Sequence, residues 1–153
     1  MKWLSTFAFL TLLAATAGCE PSGLKSSRGF TLPDGRPDVG QATFVELKCH
    51  ACHTVSGIEL PTIEGQSEQV IVLGGEVGRI QTYGELVTSI INPSHRIASG
   101  YSKETVGAEG ESKMKNYNEV LTVQQLVDVV AFLQSRYKLK PYEPTDYPMY
   151  HYH

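Results

Sequence analysis

Three stretches of the chain repeat apolar and polar residues with the period of an α-helix. The most regular follows Thr122, and Gln125 stands three residues later, which is the capping-box spacing that begins many helices. Apolar positions then fall on one stripe: Leu126, Val129, Val130, Leu133 and Tyr137. The pattern predicts a helix that begins at Thr122 and closes the domain.

Two earlier stretches carry the same combination of cap and stripe. Asp38 and Gln41 precede the first stripe, which consists of Gly40, Thr43, Phe44 and Leu47. We expect this first helix to run straight into Cys49. Thr82 and Glu85 begin the second helix, which turns Leu86 and Ile90 inward and ends before Pro93.

The segments between these helices differ in character. Residues 54–68 carry glycine and proline with few periodic apolar positions, which indicates an irregular loop. Val70 to Leu73, a Gly-Gly pair, and Val77 to Ile80 predict a small β-hairpin. Residues 94–121 are expected to be mainly irregular.

The two ends of the chain lack the pattern of a folded domain. Residues 1–18 combine Lys2 with an apolar run and small residues, which is typical of an export signal. Residues 19–37 are rich in Ser, Gly and Pro and predict a flexible tether. Residues 138–153 form a Tyr- and Pro-rich tail, so the folded domain is expected over residues 38–137.

Cys19 directly follows the predicted export signal. The stretch Thr16-Ala17-Gly18-Cys19 resembles a bacterial lipobox, although Thr16 replaces the usual leucine. The resemblance implies lipidation at Cys19 and a membrane anchor. The alternative is ordinary secretory cleavage that leaves a free thiol, which is a liability in an oxidising compartment.

Charge narrows the classes of partner. The chain has 13 basic and 16 acidic residues; cleavage would remove only Lys2, leaving 12 basic residues against 16 acidic ones. The net negative charge of the mature chain argues against nucleic acid as a partner.

The sequence Cys49-His50-Ala51-Cys52-His53 carries the candidate chemistry. This C-x-x-C-H spacing is typical of covalent attachment of one c-type haem, with His53 as the metal ligand. A redox dithiol and half of a zinc site are the alternatives. Against both, the chain has no second Cys pair, no spaced His pair and no βαβ pattern.

Over about residues 38–137 the chain resembles the class I cytochrome c family. Gly40 and Phe44 match positions where that family's first helix crosses its last, with Phe132 as the aromatic partner. The segment from Tyr83 to Pro93, followed by Gly100-Tyr101, looks like the cytochrome c domain fused to subunit II of some terminal oxidases. The resemblance implies an all-α class I fold with three to five helices around one haem, here with the small hairpin insertion.

The resemblance also implies two residues that complete the haem site. Pro61 falls where the family has a proline whose carbonyl accepts a hydrogen bond from the histidine ligand. Met114 is the candidate sixth ligand because it precedes the last helix and Tyr117 follows it, although Lys115 replaces the family's usual proline. Met149 and His95 are the alternative ligands.

Several remaining residues have two interpretations each, as ordinary surface or tail residues or as functional residues. His50 is expected on the surface, and His151 and His153 are interpreted as tail residues with a weak metal site as the alternative. Four lysines are either a docking ring or scattered solvated charges. They are Lys48, Lys103, Lys113 and Lys115.

These observations predict an exported, lipid-anchored protein on the periplasmic side of a bacterial membrane, and not an enzyme. It would carry single electrons through one covalent haem c with His53 and Met114 as ligands. Its expected partners are redox proteins, namely a dehydrogenase, an oxidase or another cytochrome. The alternatives are a haem subunit of a larger membrane complex and a sensor or enzyme with an open sixth position.

Overall fold

The structure is a computed structural model that describes residues 31–64 and 70–141. The predicted export signal, Cys19, most of the predicted tether, Met149, His151 and His153 lie outside the described residues. The compact unit described below begins at Leu32. No helix within the described ranges is long and apolar enough to span a membrane.

Helices carry the architecture and the strands are short. The helices are α1 (Pro37–Glu46), α2 (Tyr83–Ile91), α3 (Lys103–Val106) and α4 (Val123–Gln134), with 3₁₀ turns at Cys49–Ala51 and Pro93–His95. The strands are β1 (His53–Val55), β2 (Ile71–Leu73), β3 (Gly75–Val77), β4 (Gly107–Ala108), β5 (Glu111–Ser112) and β6 (Tyr137–Leu139). The predicted helical fold is confirmed, with more strand pairing than expected.

The crossing of α1 and α4 is the tightest contact between helices. A side chain at Gly40 would collide with the Asp128 carbonyl oxygen on α4, so only glycine lets the backbones approach this closely. Phe44 and Phe132 meet edge to face with ring centroids 5.8 Å apart, and both are buried. The predicted pairing of Gly40 and Phe44 with Phe132 is therefore confirmed.

The core has two parts that share α4. The first part is built around Phe44 and Phe132 and also contains Val55, Val129 and Leu133. The second part joins α2 to α4 through Leu86, Val87, Leu126 and Val130. The two faces of α4 thus hold both other long helices, which is why its middle, from Leu126 to Val130 and at Phe132 and Leu133, is buried.

Two of the three predicted capping boxes are confirmed. Thr82 and Glu85 cap α2, and Thr122 and Gln125 cap α4, each with reciprocal side-chain to backbone hydrogen bonds. The box predicted at Asp38 is wrong. Pro37 begins α1 one residue earlier because its fixed φ suits the first helical position, so Asp38 already lies within the first turn.

Contacts with α4 begin before the boundary predicted at residue 38. The Arg36 backbone N–H donates to Asp128 Oδ1 at 2.8 Å, and the Arg36 guanidinium donates to Oδ2 at 3.1 Å. Gly35 lies so close to the Val127 carbonyl that a side chain there would collide with it. Leu32, Gly35 and Arg36, assigned above to the tether, therefore contact the domain.

The predicted hairpin around Gly74 and Gly75 is wrong. β2 pairs in parallel with β1, and β3 pairs in parallel with β6. Both glycines have positive φ, +77° and +82°, and they redirect the chain from one pairing to the other instead of folding it back. β6 also extends regular structure to Leu139, past the predicted start of the tail at residue 138.

Residues 94–121 are more ordered than predicted. They contain the short helix α3 and an antiparallel pair, β4 with β5, closed by Glu109 and Gly110 at positive φ. Gly107 is buried with φ +113°, and a side chain there would meet the Glu111 carbonyl oxygen. Among the described residues, β4 and β5 thus form an antiparallel hairpin shortly before Met114.

Candidate functional site

The chain turns sharply between α1 and the Cys49 to His53 motif. α1 ends at Glu46, and Lys48 adopts the left-handed conformation with φ +58°, so the helix does not run straight into Cys49 as predicted. The 3₁₀ turn at Cys49–Ala51 then brings the two cysteines onto one compact loop. Cys49 is half-buried against the first part of the core, Cys52 is exposed, and both are free thiols.

His53 is placed by the core. It begins β1 opposite Ile71 of β2, and its ring lies 6.5 Å from the Phe44 ring, measured between centroids. Burial lowers the pKa of His53, and the Ile71 backbone offsets this only in part. The imidazole is therefore neutral, which is the form that binds a metal.

The predicted partner of His53 does not meet it. Nδ1 of His53 is buried and has no hydrogen-bond partner among the described residues, and Pro61 is exposed. Buried ring nitrogens in folded proteins usually have a hydrogen-bond partner. The role of Pro61 stays a prediction.

The environment of Cys49 favours the neutral thiol. Burial, with a smaller contribution from neighbouring Cys52, raises the pKa of Cys49 to about 11. Redox exchange and zinc binding both use the thiolate, which this environment disfavours. Within the described ranges, no cluster of three or more His, Cys, Asp or Glu side chains is arranged to hold a metal ion.

The other histidines of the described chain lie in different environments. His50 is only 2 % exposed, so its predicted place on the surface is wrong; it sits in the tight 3₁₀ turn, which folds its ring into the protein. His95 is exposed in the 3₁₀ turn after α2, with Nδ1 2.8 Å from the Asn92 carbonyl oxygen.

Met114 lies on residues 113–117, which follow β5 and which we call the Met114 segment. The Met114 side chain is half-buried. Its backbone N–H donates to the Ser112 hydroxyl at 3.1 Å. The Ser112 backbone N–H in turn donates to the Ser94 hydroxyl at 3.1 Å. A chain of serine hydroxyls thus fixes the N-terminal side of Met114 to the turn after α2.

Tyr117 brings this segment to the cysteine loop. Its hydroxyl donates to the Leu47 carbonyl oxygen at 3.1 Å, at the end of α1. Burial raises the pKa of the Tyr117 phenol, and the thiolates that Cys49 and Cys52 form at alkaline pH raise it further. Sequence reasoning noted the aromatic ring but missed the bond, because its acceptor is a backbone carbonyl.

The four lysines named as a docking ring are all exposed, but they have different contacts. The Lys115 ammonium lies 5.5 Å from the centre of the Tyr117 ring, and Lys48 directly precedes Cys49. Lys113 donates to the Glu104 carbonyl oxygen. Two of the four, Lys48 and Lys115, therefore lie next to residues of the site.

Two thiols and a neutral imidazole within five residues, beside an apolar core, fit the covalent attachment of one haem. Searches of curated proteins and of solved structures found no match. A family model described as Cytochrome c matches residues 38–136, well over half of the chain. The chain belongs to the cytochrome c family, and it is a haem-based electron carrier whose cofactor is covalently bound haem c.

Proposed function

We propose that this protein is an exported, lipid-tethered single-electron carrier with His53 and Met114 as the axial ligands of one haem c. When bound, the haem supplies an iron that alternates between the ferric and ferrous states and so holds one electron at a time. The observation that carries the proposal is the hydrogen bond from Tyr117 to Leu47, because it brings the Met114 segment to the loop of Cys49 and Cys52.

In this proposal Cys49 and Cys52 hold the haem through two thioethers, and His53 is the first axial ligand. The 3₁₀ turn supports the assignment because it keeps both sulfur atoms on one short loop. The helix crossing supports it too, since Phe132 packs on Phe44 and the Phe44 ring lies beside His53. The core of the domain thus orients the ligand.

Met114 is preferred over the alternative ligands. It is half-buried on a segment fixed at both ends, whereas His95 is exposed and hydrogen-bonded at the end of α2. A methionine thioether with a histidine raises the reduction potential and keeps the iron six-coordinate in both oxidation states, which suits a carrier. Met149, outside the described residues, serves as the control in the test.

The test is the ferric absorption spectrum of the purified holoprotein and of two methionine variants. We expect a low-spin spectrum with the weak long-wavelength sulfur-to-iron charge-transfer band. Met114→Ala should abolish the band, and Met149→Ala should leave it unchanged. A band that survives Met114→Ala, or is absent from the parent protein, would overturn ligation by Met114; an absent band with ligand binding to the ferrous haem would favour the sensor or enzyme.

Lipidation at Cys19 places the carrier on the periplasmic side of a bacterial membrane in this proposal, with a tether that sets its reach to redox partners. Mass spectrometry of the mature protein should show a lipidated N-terminal Cys19. Cys19→Ser should release the domain from the membrane fraction. A mature chain that begins elsewhere without lipid would contradict the anchor.

The partners are proposed to be other redox proteins that dock transiently. A free carrier should elute as a small species when membranes are gently solubilised and separated by size. Constant co-elution with other haem or membrane proteins would instead favour the alternative, a fixed subunit of a larger complex.

A further inference from the structure

The segment that carries Met114 is held at two points. On one side Met114 donates to Ser112, which is held by Ser94. On the other side Tyr117 donates to Leu47. Lys115 and Asn116, which lie between Met114 and Tyr117, are exposed and leave this stretch without a packed core of its own.

We propose that Tyr117 is a positioning residue for Met114, whose hydrogen bond to Leu47 limits how often the methionine leaves the iron. This inference rests on the proposed function, since it requires Met114 as the sixth ligand. In this proposal Tyr117 does not contact the iron. It acts only by fixing the segment that carries Met114.

The place of the acceptor explains why this bond matters more than an ordinary surface contact. The last carbonyls of a helix lack partners within the helix, and Leu47 directly follows α1. Leu47 also lies two residues before Cys49, so the bond joins the Met114 segment to the start of the loop of Cys49 and Cys52. Movement of Tyr117 away from this loop breaks the hydrogen bond.

The rest of Tyr117 adds to this restraint. Its ring lies under the Lys115 ammonium, 5.5 Å from the ring centre, and the side chain is half-buried. The backbone carbonyl of Tyr117 accepts from Val120 at 3.0 Å and from Leu121 at 2.8 Å, just before α4. The Tyr117 carbonyl therefore connects the Met114 segment to the residues just before α4, and the Tyr117 hydroxyl connects it to the end of α1.

The test measures how readily imidazole binds to the ferric holoprotein. Imidazole reaches the iron only after the native sixth ligand has left, so its binding reports the opening of the Met114 segment. Loss of one hydrogen bond in Tyr117→Phe is expected to lower the apparent dissociation constant of imidazole roughly three- to tenfold. The charge-transfer band should remain, because the variant keeps the methionine and the ring.

Thr82→Ala is the matched control. It removes the cap of α2 and lowers the global stability by an amount similar to the loss of one hydrogen bond, without touching the Met114 segment. Imidazole should bind this variant as it binds the parent protein. A merely structural role for Tyr117 would instead move both variants together.

The outcomes separate the two proposals. Stronger imidazole binding in Tyr117→Phe alone supports the positioning role. Equal binding by Tyr117→Phe and the parent protein, or an equal increase in Thr82→Ala, overturns it while Met114 ligation stands. A parent protein without the charge-transfer band overturns both.

Discussion

The crossing of α1 and α4 and the segment around Met114 are built on different principles. At the crossing, Gly40 lets two backbones approach and buried aromatic rings fill the space beside them. From Gly107 to Tyr117, which we call the Met114 arm, the chain is held by single hydrogen bonds and a tight hairpin. The difference teaches that one region fixes His53 through packing, while the other holds Met114 through single hydrogen bonds that can break one at a time.

The largest expected effect is at the crossing. Phe132→Ala removes a fully buried ring that packs on Phe44, and it should lower the free energy of unfolding by about 3–5 kcal/mol. Chemical denaturation measures this loss. Val123→Ala on the same helix is the control, because Val123 is 59 % exposed and its loss should cost under about 0.5 kcal/mol. Similar losses in the two variants would show that the crossing is not the centre of stability.

The next effect should be confined to the Met114 arm. Gly107→Ala forces a side chain into positive φ and against the Glu111 carbonyl, at a cost of about 1–3 kcal/mol. We expect the charge-transfer band to weaken while the far-ultraviolet circular dichroism of the helices is unchanged. Gly110→Ala is the control, since it shares positive φ but has open space around it. Loss of helical signal in Gly107→Ala would remove the distinction between the two regions.

A smaller, global effect is expected at the start of α4. Thr122→Ala removes the side chain that caps the Gln125 backbone, and it should lower the free energy of unfolding by about 1 kcal/mol. Thermal unfolding measures the shift. Gln125→Glu keeps the capping-box pattern and should retain most of the stability. Equal destabilisation by the two variants would contradict the role of the cap.

The last expected effect concerns Asp128, and its contribution to stability is present at neutral pH and disappears in acid. The N–H groups of Arg36 and the Gln124 amide lower the pKa of Asp128 below its usual value of about 3.9. The ionised carboxylate therefore stabilises the fold above that usual value, and the contribution is lost as the pH falls through the lower folded pKa. Melting temperature against pH should fall less steeply below about pH 4 in Asp128→Asn. If the melting temperatures of the parent protein and Asp128→Asn fall equally below about pH 4, the Asp128 carboxylate does not have this role.

Local signals predicted much of the fold. The apolar stripes and the caps at Thr82 and Thr122 depend on residues a few positions apart or on a simple period. The pairing of Phe44 with Phe132 was instead implied by the family resemblance. The failures depend on distant partners. The Gly74-Gly75 pair was interpreted as a turn, but β2 and β3 pair with segments far away in the sequence, and parallel pairing leaves no tight turn to recognise.

The site divides in the same way. Cys49, Cys52 and His53 form a contiguous motif, so their spacing alone indicated a covalent haem site. His50 is buried in the 3₁₀ turn that follows the left-handed Lys48, a backbone conformation that no side-chain pattern predicts. The bond from Tyr117 ends on a backbone carbonyl, and every residue offers one, so its sequence gives no sign of the acceptor.

The contact between Arg36 and Asp128 has a mechanical consequence. A pull on the chain from its N-terminal side reaches the domain at Gly35 and Arg36, where the chain lies against the middle of α4. The load therefore enters the buried middle of α4 at the same point where the chain continues into α1. Tension along the chain is shared between the two helices of the crossing instead of falling on α1 alone.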